Sequence, residues 1–63
     1  MKIKDAIKYV SSYYNVNKKE LYLEYTDDSK TTVCFYSHYN VKLQVKGTLL
    51  ATLTNNDTIC YLA

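Results

Sequence analysis

The sequence contains no arginine, proline or tryptophan, and only one glycine, one histidine and two cysteines. Without arginine, the chain lacks the side chain that reads guanine through two parallel hydrogen bonds. A single glycine excludes a glycine-rich loop that cradles phosphate. The soft metal ligands Cys34, His38 and Cys60 are one fewer than the four of a closed structural zinc site, and their spacing matches no familiar zinc motif. We therefore predict no metal site and no cofactor.

The N-terminal segment lacks a long apolar run. Lysines at positions 2, 4 and 8 and an aspartate at position 5 interrupt it, so it predicts neither a secretory signal nor a membrane span. We expect the protein to lie in the cytoplasm of a bacterial cell and to have no membrane partner. Both cysteines would remain thiols there.

The residues that are present indicate one small folded domain over 1–63, with 48% hydrophobic and 22% charged residues. A chain of this length buries only about 60% of its unfolded surface, so its stability is marginal. The residue types with AT-rich codons, Phe, Tyr, Met, Ile, Asn and Lys, supply 26 of the 63 residues, whereas Gly, Ala, Arg and Pro together supply four. This bias indicates an AT-rich genome, as in many bacteriophages and low-GC bacteria.

An amphipathic helix is predicted over residues 3–14. Its apolar residues recur with a period of 3.6, and the asparagines at positions 15 and 17 favour a stop. We expect Ile7 and Val10 on this stripe to be buried. Tyr9 and Tyr13 lie one turn apart on its flank, where they could touch each other.

The segment after the helix has two interpretations. Asn17-Lys18-Lys19-Glu20 resembles a capping box, and a second helix there would suggest a helix-turn-helix. From Leu21 to Thr26, however, apolar and polar residues alternate with a period of two. Asp27-Asp28-Ser29-Lys30 then supplies turn residues. We therefore predict an antiparallel hairpin of residues 20–26 and 31–37, with Leu23 and Phe35 buried.

The alternation continues to the C-terminus. Residues 41–46 are predicted as a strand, followed by a two-residue hairpin turn at Lys46-Gly47 or by a bend at Gly47. Residues 48–54 and 58–62 are predicted as strands, and residues 55–57 as a turn. The fold class is α+β, with one N-terminal helix packed on a four- or five-stranded antiparallel β-meander. The sheet either stays open or closes partly into a small barrel.

No set of residues predicts catalysis. Cys34 and His38 are four residues apart, about 13 Å along a strand, which is too far for a nucleophile and its base. Ser37 and His38 would point to opposite faces if the strand continued. The neighbouring carboxylates Asp27 and Asp28 are typical of a turn and do not indicate a catalytic pair. We therefore expect a protein without catalytic residues, that is, no enzyme.

The two predicted sheet faces differ in what could cover them. A helix of about twelve residues is roughly 18 Å long and covers one face only. The covered face would take Leu21, Leu23, Tyr25, Val33, Phe35, Val41, Leu43 and Val45. The open face would then present tyrosines and lysines to a partner protein or to a second copy of the chain. The predicted partner-binding residues are Tyr22, Tyr36, Tyr9, Tyr13, Lys42 and Lys46.

Nucleic acid is the alternative partner. Residues 1–21 carry a net charge of +3 and residues 22–63 a net charge of −1. Lys4, Lys8, Lys18 and Lys19 could contact phosphates while exposed tyrosines stack on bases. An ordinary solvated helix explains the same lysines, and we favour that interpretation.

The favoured hypothesis is a small protein-binding module. Its coding bias and size suit an inhibitor, encoded by a phage or mobile element, that masks a host protein such as a defence nuclease, of the anti-CRISPR or anti-restriction type. A small nucleic-acid-binding protein and a self-assembling structural protein are the alternatives. The sequence does not identify the target.

Overall fold

A four-stranded antiparallel sheet carries the helix on one face and a short β-hairpin on the other. The computed structural model describes residues 1–55 and 58–63. The elements are α1 Ile3–Tyr14, β1 Tyr22–Tyr25, β2 Thr32–Tyr36, β3 Tyr39–Asn40, β4 Val45–Lys46, β5 Leu49–Thr54 and β6 Thr58–Tyr61. The α+β class with a meander-like sheet is thus confirmed, and the sheet does not close into a barrel.

Helix α1 has the predicted bounds. Ala6 and Val10 on its apolar stripe are fully buried, and Ile7 is partly buried. The helix ends at Asn15, which takes the left-handed conformation with φ of 55°. The Val16 N–H then donates to the Ser11 carbonyl at 2.9 Å, which satisfies one of the carbonyls left free at a helix end.

A single turn, not a second helix, follows α1. The Asn17 side-chain oxygen accepts a hydrogen bond from the Lys19 N–H at 2.9 Å, and the Glu20 N–H donates to the Asn17 carbonyl at 2.9 Å. Strand β1 begins at Tyr22, directly after this turn. The predicted hairpin is therefore confirmed, and the helix-turn-helix interpretation is wrong.

The strand order in the main sheet is β1-β2-β5-β6. Leu23 pairs with Phe35 between β1 and β2, and Phe35 pairs with Ala51 between β2 and β5. The chain between β2 and β5 leaves this sheet to form the separate hairpin β3–β4. The sheet is consequently a meander of four strands with a hairpin inserted at its centre.

A β-bulge in β5 adds a leucine to the core. Phe35 lies opposite Ala51, but Tyr36 lies opposite Leu49, so Leu50 is the extra residue. Leu50 is buried in the same cluster as Ala51, on the helix side of the sheet. Its carbonyl accepts hydrogen bonds from the Tyr14 hydroxyl at 2.7 Å and from the Leu62 N–H at 2.8 Å. The bulge therefore joins the helix end to the C-terminus.

The core lies between α1 and the sheet. Phe35 and Leu53 are its largest fully buried side chains. The buried members of the cluster are Ala6, Val10, Leu21, Val33, Phe35, Leu50, Ala51 and Leu53. Leu23 is only partly buried. Tyr25, predicted to face the core, is 41% exposed because it lies at the end of an outer strand, where the Lys30 ammonium sits 5.7 Å from its ring centre.

The predicted strand over residues 41–46 is wrong. Residues 41–44 form a turn, and only the last two predicted residues belong to a strand, β4. The Asn40 side-chain oxygen accepts the Leu43 N–H at 3.0 Å, and Gln44 takes a positive φ of 53°. These two features reverse the chain, so Val41 and Leu43 point to solvent. The predicted two-residue turn at Lys46-Gly47 is also wrong, because Gly47 joins β4 to β5 and has no positive φ.

The predicted turn over residues 55–57 is only partly described. Asn55 takes a positive φ of 53°, and its N–H donates to the Thr31 carbonyl at 2.6 Å. Residues 56 and 57 lie outside the described residues. Strand β6 then starts at Thr58, as predicted.

Truncation of Phe35 should test the core. We expect Phe35→Ala to lower the free energy of unfolding by about 3–5 kcal/mol, since a fully buried aromatic ring is lost and a cavity remains. A domain of this size has little more stability than that. Urea unfolding followed by circular dichroism measures the change. Val41→Ala is the control, because Val41 is exposed, and equal losses for the two variants would contradict the assignment of the core.

The turn between β1 and β2 should make stability depend on pH. A hydrogen bond from the Ser29 hydroxyl to the Asp27 carboxylate at 2.7 Å, supported by Thr31, lowers the Asp27 pKa below its ordinary value of 3.8. The folded pKa lies below the unfolded one, so the stabilisation is complete above the unfolded value. It is lost as pH falls through the folded value.

We therefore expect Asp27→Asn to lower the melting temperature at neutral pH and to have a smaller effect at about pH 2.5. Asp28→Asn is the matched control, because the Asp28 carboxylate makes no hydrogen bond to any residue of the described chain. Thermal unfolding at the two pH values measures both variants. A difference between Asp27→Asn and wild type that is the same at both pH values would contradict the prediction.

Candidate functional site

Hairpin β3–β4 lies across the sheet face opposite the helix. The Tyr39 ring on β3 lies 4.9 Å from the Tyr22 ring on β1, and Tyr22 lies 6.0 Å from Tyr36 on β2. Tyr22 and Tyr36 are half-buried as a result. The face predicted to be open is therefore partly covered by the chain's own hairpin, which Tyr22 and Tyr36 support.

An ion pair fixes β4 to the same face. The Lys46 ammonium lies 2.5 Å from a Glu24 carboxylate oxygen and 5.2 Å from the centre of the Tyr36 ring. The hydrogen bond to Glu24 raises the pKa of Lys46 above its ordinary value. Both side chains are more than one-third exposed, so this pair orients the hairpin more than it stabilises the fold.

The base of the hairpin is a compact bend. The Ser37 hydroxyl lies 2.9 Å from His38 Nδ1 and accepts the Thr48 N–H at 3.0 Å, while the Gly47 N–H donates to the His38 carbonyl at 2.8 Å. The prediction that Ser37 and His38 point to opposite faces is wrong, because the chain bends directly after β2. A side chain at Gly47 would collide with Ser37 Oγ and the His38 ring, so any larger residue there would displace these two side chains.

The turn of the hairpin exposes three aliphatic side chains, which we term the apolar tip: Val41, Leu43 and Val45. Their exposed fractions are 77%, 70% and 51%. They were predicted to be core residues, and their outward position is the main correction to that prediction. Large contiguous apolar surfaces mark protein-interaction sites on soluble proteins, so these exposed side chains are taken as the candidate site. Lys42, one of the predicted partner-binding residues, is exposed between Val41 and Leu43.

Tyr9 and Tyr13 occupy a different surface, at the C-terminal half of α1. Both are more than half exposed. Tyr13 does not stack on Tyr9 but on Tyr61 of β6, with ring centres 4.0 Å apart and planes inclined by 15°. Tyr13 thus lies beside the outer strand β6, and both residues belong to α1, on the sheet face opposite the hairpin.

The four lysines of the nucleic-acid alternative are all exposed. Lys4 and Lys8 are one turn apart on the outer side of α1, and Lys18 and Lys19 lie in the turn before β1. Lys46 makes the one ion pair between side chains of the described residues. The structure does not single out these lysines from other solvated ones.

The groups that could carry chemistry are dispersed. Cys34 is buried and Cys60 is exposed, and both pair with Thr52, which lies between them in the sheet. Two strand spacings amount to about 9.6 Å, which is too far for a disulfide. Within residues 1–55 and 58–63, no three His, Cys, Asp or Glu residues cluster as metal ligands, and no pocket is found.

The chain was compared with known proteins. No protein-family model, curated protein or solved structure matches it. Among the described residues, no helix is both long and apolar enough to cross a membrane.

The apolar tip was missed because its pattern is ambiguous. Val41-Lys42-Leu43-Gln44-Val45 has the period of two that a half-buried strand requires, with neither glycine nor proline to mark a turn. The available signal was Asn40, since asparagine readily accepts a hydrogen bond from a nearby backbone N–H and so starts turns.

Gly47→Ala should detach the hairpin from the sheet. The new methyl group would displace Ser37 and His38, and we expect a loss of about 1–3 kcal/mol in the free energy of unfolding, as for other overpacked sites. The NMR cross-peaks between Tyr22 and Tyr39 should disappear, while those within the helix core persist. Thr48→Ala is the control, because it keeps the backbone N–H that binds Ser37. Wild-type cross-peaks in Gly47→Ala would contradict this role.

Proposed function

We propose that this protein is a small protein-binding module whose apolar tip enters an apolar recess on a partner protein. The observation that carries the proposal is the exposure of Val41, Leu43 and Val45, between 51% and 77%. Exposure of aliphatic side chains gains nothing for the folded monomer. Their burial in a partner would gain roughly 25 cal/mol for each Å² removed from water.

The contacts between the hairpin and the sheet reduce the conformational entropy that the tip would lose on binding. The contacts of Tyr39 with Tyr22 and of Lys46 with Glu24 hold the hairpin against the sheet before any partner arrives. A preorganised loop loses less conformational entropy on binding than a free one. Tyr22, Tyr36 and Lys46 are therefore proposed as residues that position the tip, with the tip itself making the central contact.

The charge of Lys42 at the tip suggests the charge of the residues around the partner's recess. The charge of Lys46 is balanced by Glu24, whereas Lys42 lies exposed between two tip residues. An acidic rim on the partner would complement Lys42. Rim charges mainly change the association rate and its dependence on salt, so Lys42 is expected to affect the rate more than the affinity.

The proposed biological setting is the cytoplasm of a bacterial host. There the protein would be an inhibitor, encoded by a phage or mobile element, that masks a host protein such as a defence nuclease. The support is the AT-rich coding bias and the exposed apolar tip. An inhibitor of this kind needs no chemistry of its own, since it acts by occupying a surface.

The test uses the wild-type protein to isolate its partner from host lysate and then titrates purified variants against that partner. We expect Leu43→Ser to weaken binding by about thirtyfold or more, equivalent to about 2 kcal/mol, while the fold is retained. Tyr25→Ser is the matched control, because Tyr25 is an exposed apolar residue away from the hairpin. Equal binding by wild type and Leu43→Ser would overturn the proposal.

A second variant tests the nucleic-acid alternative directly. Replacing Lys4, Lys8, Lys18 and Lys19 with glutamine should leave binding within about twofold of wild type if the tip makes the contact. A nucleic-acid binder would instead lose affinity in this variant, and its wild-type affinity would fall steeply with salt. That pattern would replace the present proposal with the alternative.

A further inference from the structure

The outer strand β6 is an unguarded edge of the main sheet. On one side it pairs with β5, and on the other no strand of the described residues pairs with its backbone. Thr58-Ile59-Cys60-Tyr61 contains neither a charged residue nor proline, the usual protections of an edge strand. The opposite edge, β1, carries Glu24 with its partner Lys46. Only one of the two edges is therefore open to another strand without the burial of a charge.

Exposed aromatic and aliphatic side chains adjoin this edge. Tyr61 and Leu62 are 39% and 52% exposed, and Tyr13 stacks on Tyr61 from the helix side. Tyr9 lies one helical turn before Tyr13 and is also exposed. Aromatic residues are enriched and charged residues are depleted at the centre of a protein interface, and interfaces between identical subunits are more apolar than other interfaces.

We infer that a second copy of this chain pairs with β6 along this edge. An antiparallel strand pairs with itself through a twofold axis, and an axis normal to the sheet keeps both helices on one face. Residues opposite each other then point to the same face, so the axis passes midway between the two copies of one residue, such as Cys60. With the axis at Cys60, Ile59 of each copy lies opposite Tyr61 of the other, and Thr58 lies opposite Leu62.

This pairing makes the two sheets continuous and leaves the hairpins free. Tyr61 of each copy, with Tyr13 stacked on it, would lie on the helix face beside the junction. The hairpins lie on the opposite face. A dimer through that face would have to displace the hairpin contacts of Tyr22 and Tyr36, whereas pairing at β6 displaces nothing.

The test measures mass by sedimentation equilibrium over a wide range of protein concentration. We expect wild type to reach twice the mass of the chain. Tyr61→Lys should raise the dimer dissociation constant by about tenfold or more, because it brings charge into the pairing edge. Tyr25→Lys is the matched control, since Tyr25 lies on the other outer strand with a similar exposure, 41% against 39%. It should dimerise like wild type.

Two further variants test whether the dimer forms through β6. Cys60→Lys places like charges opposite each other without removing the Tyr13–Tyr61 stack, and it should weaken the dimer even if Tyr61→Lys unfolds. Leu43→Ser should dimerise normally, which separates this inference from the role of the apolar tip. A wild-type monomer at every concentration, or a dimer disrupted by Tyr25→Lys or Leu43→Ser but not by Cys60→Lys, would overturn the inference.

Discussion

One helix of twelve residues covers one face of a four-stranded sheet and leaves the other face to be covered by something else. In this chain the second cover is hairpin β3–β4, inserted at the centre of the meander. Tyr39 and Lys46 of the hairpin reach Tyr22, Glu24 and Tyr36 on the sheet. The second layer is therefore held by aromatic and charged contacts, in contrast to the aliphatic packing under the helix.

That difference explains why the aliphatic residues of the hairpin are exposed. Tyr39 and Lys46 make the hairpin's contacts with this sheet face, whereas Val41 and Leu43 lie in the turn and are exposed to solvent. The bend at Ser37 and Gly47 sets the direction in which the hairpin leaves the sheet. A polar second layer thus places an apolar tip in solvent, and the proposed binding function rests on this arrangement.

Local patterns predicted the helix and the first hairpin because both are decided within a few residues. The 3.6-residue period, the stop at Asn15 and the turn at Asp27 each act locally. The apolar tip could not be predicted in the same way, since residues 41–45 alternate like a strand and their exposure depends on what lies beneath them. Likewise, consecutive apolar residues in β5 left its register ambiguous until the bulge at Leu50 resolved it. Tyr22 and Tyr36 were predicted to contact a partner protein, but in the structure their rings lie near Tyr39 and Lys46 of the chain's own hairpin.

The two proposed contacts use different physical chemistry. Pairing at β6 would affect binding by the tips only by fixing the position of one tip relative to the other. Pairing at β6 would use backbone hydrogen bonds and aromatic side chains, whereas the tip would use aliphatic burial. A twofold axis normal to the sheet would place both tips on the same face, each fixed by its own Lys46–Glu24 pair. Two rigidly held tips raise the effective concentration of the second contact once the first has formed, provided that the partner offers two recesses at the same spacing. A partner with one recess would gain nothing from the dimer, so the oligomeric state of the target determines whether dimerisation strengthens binding.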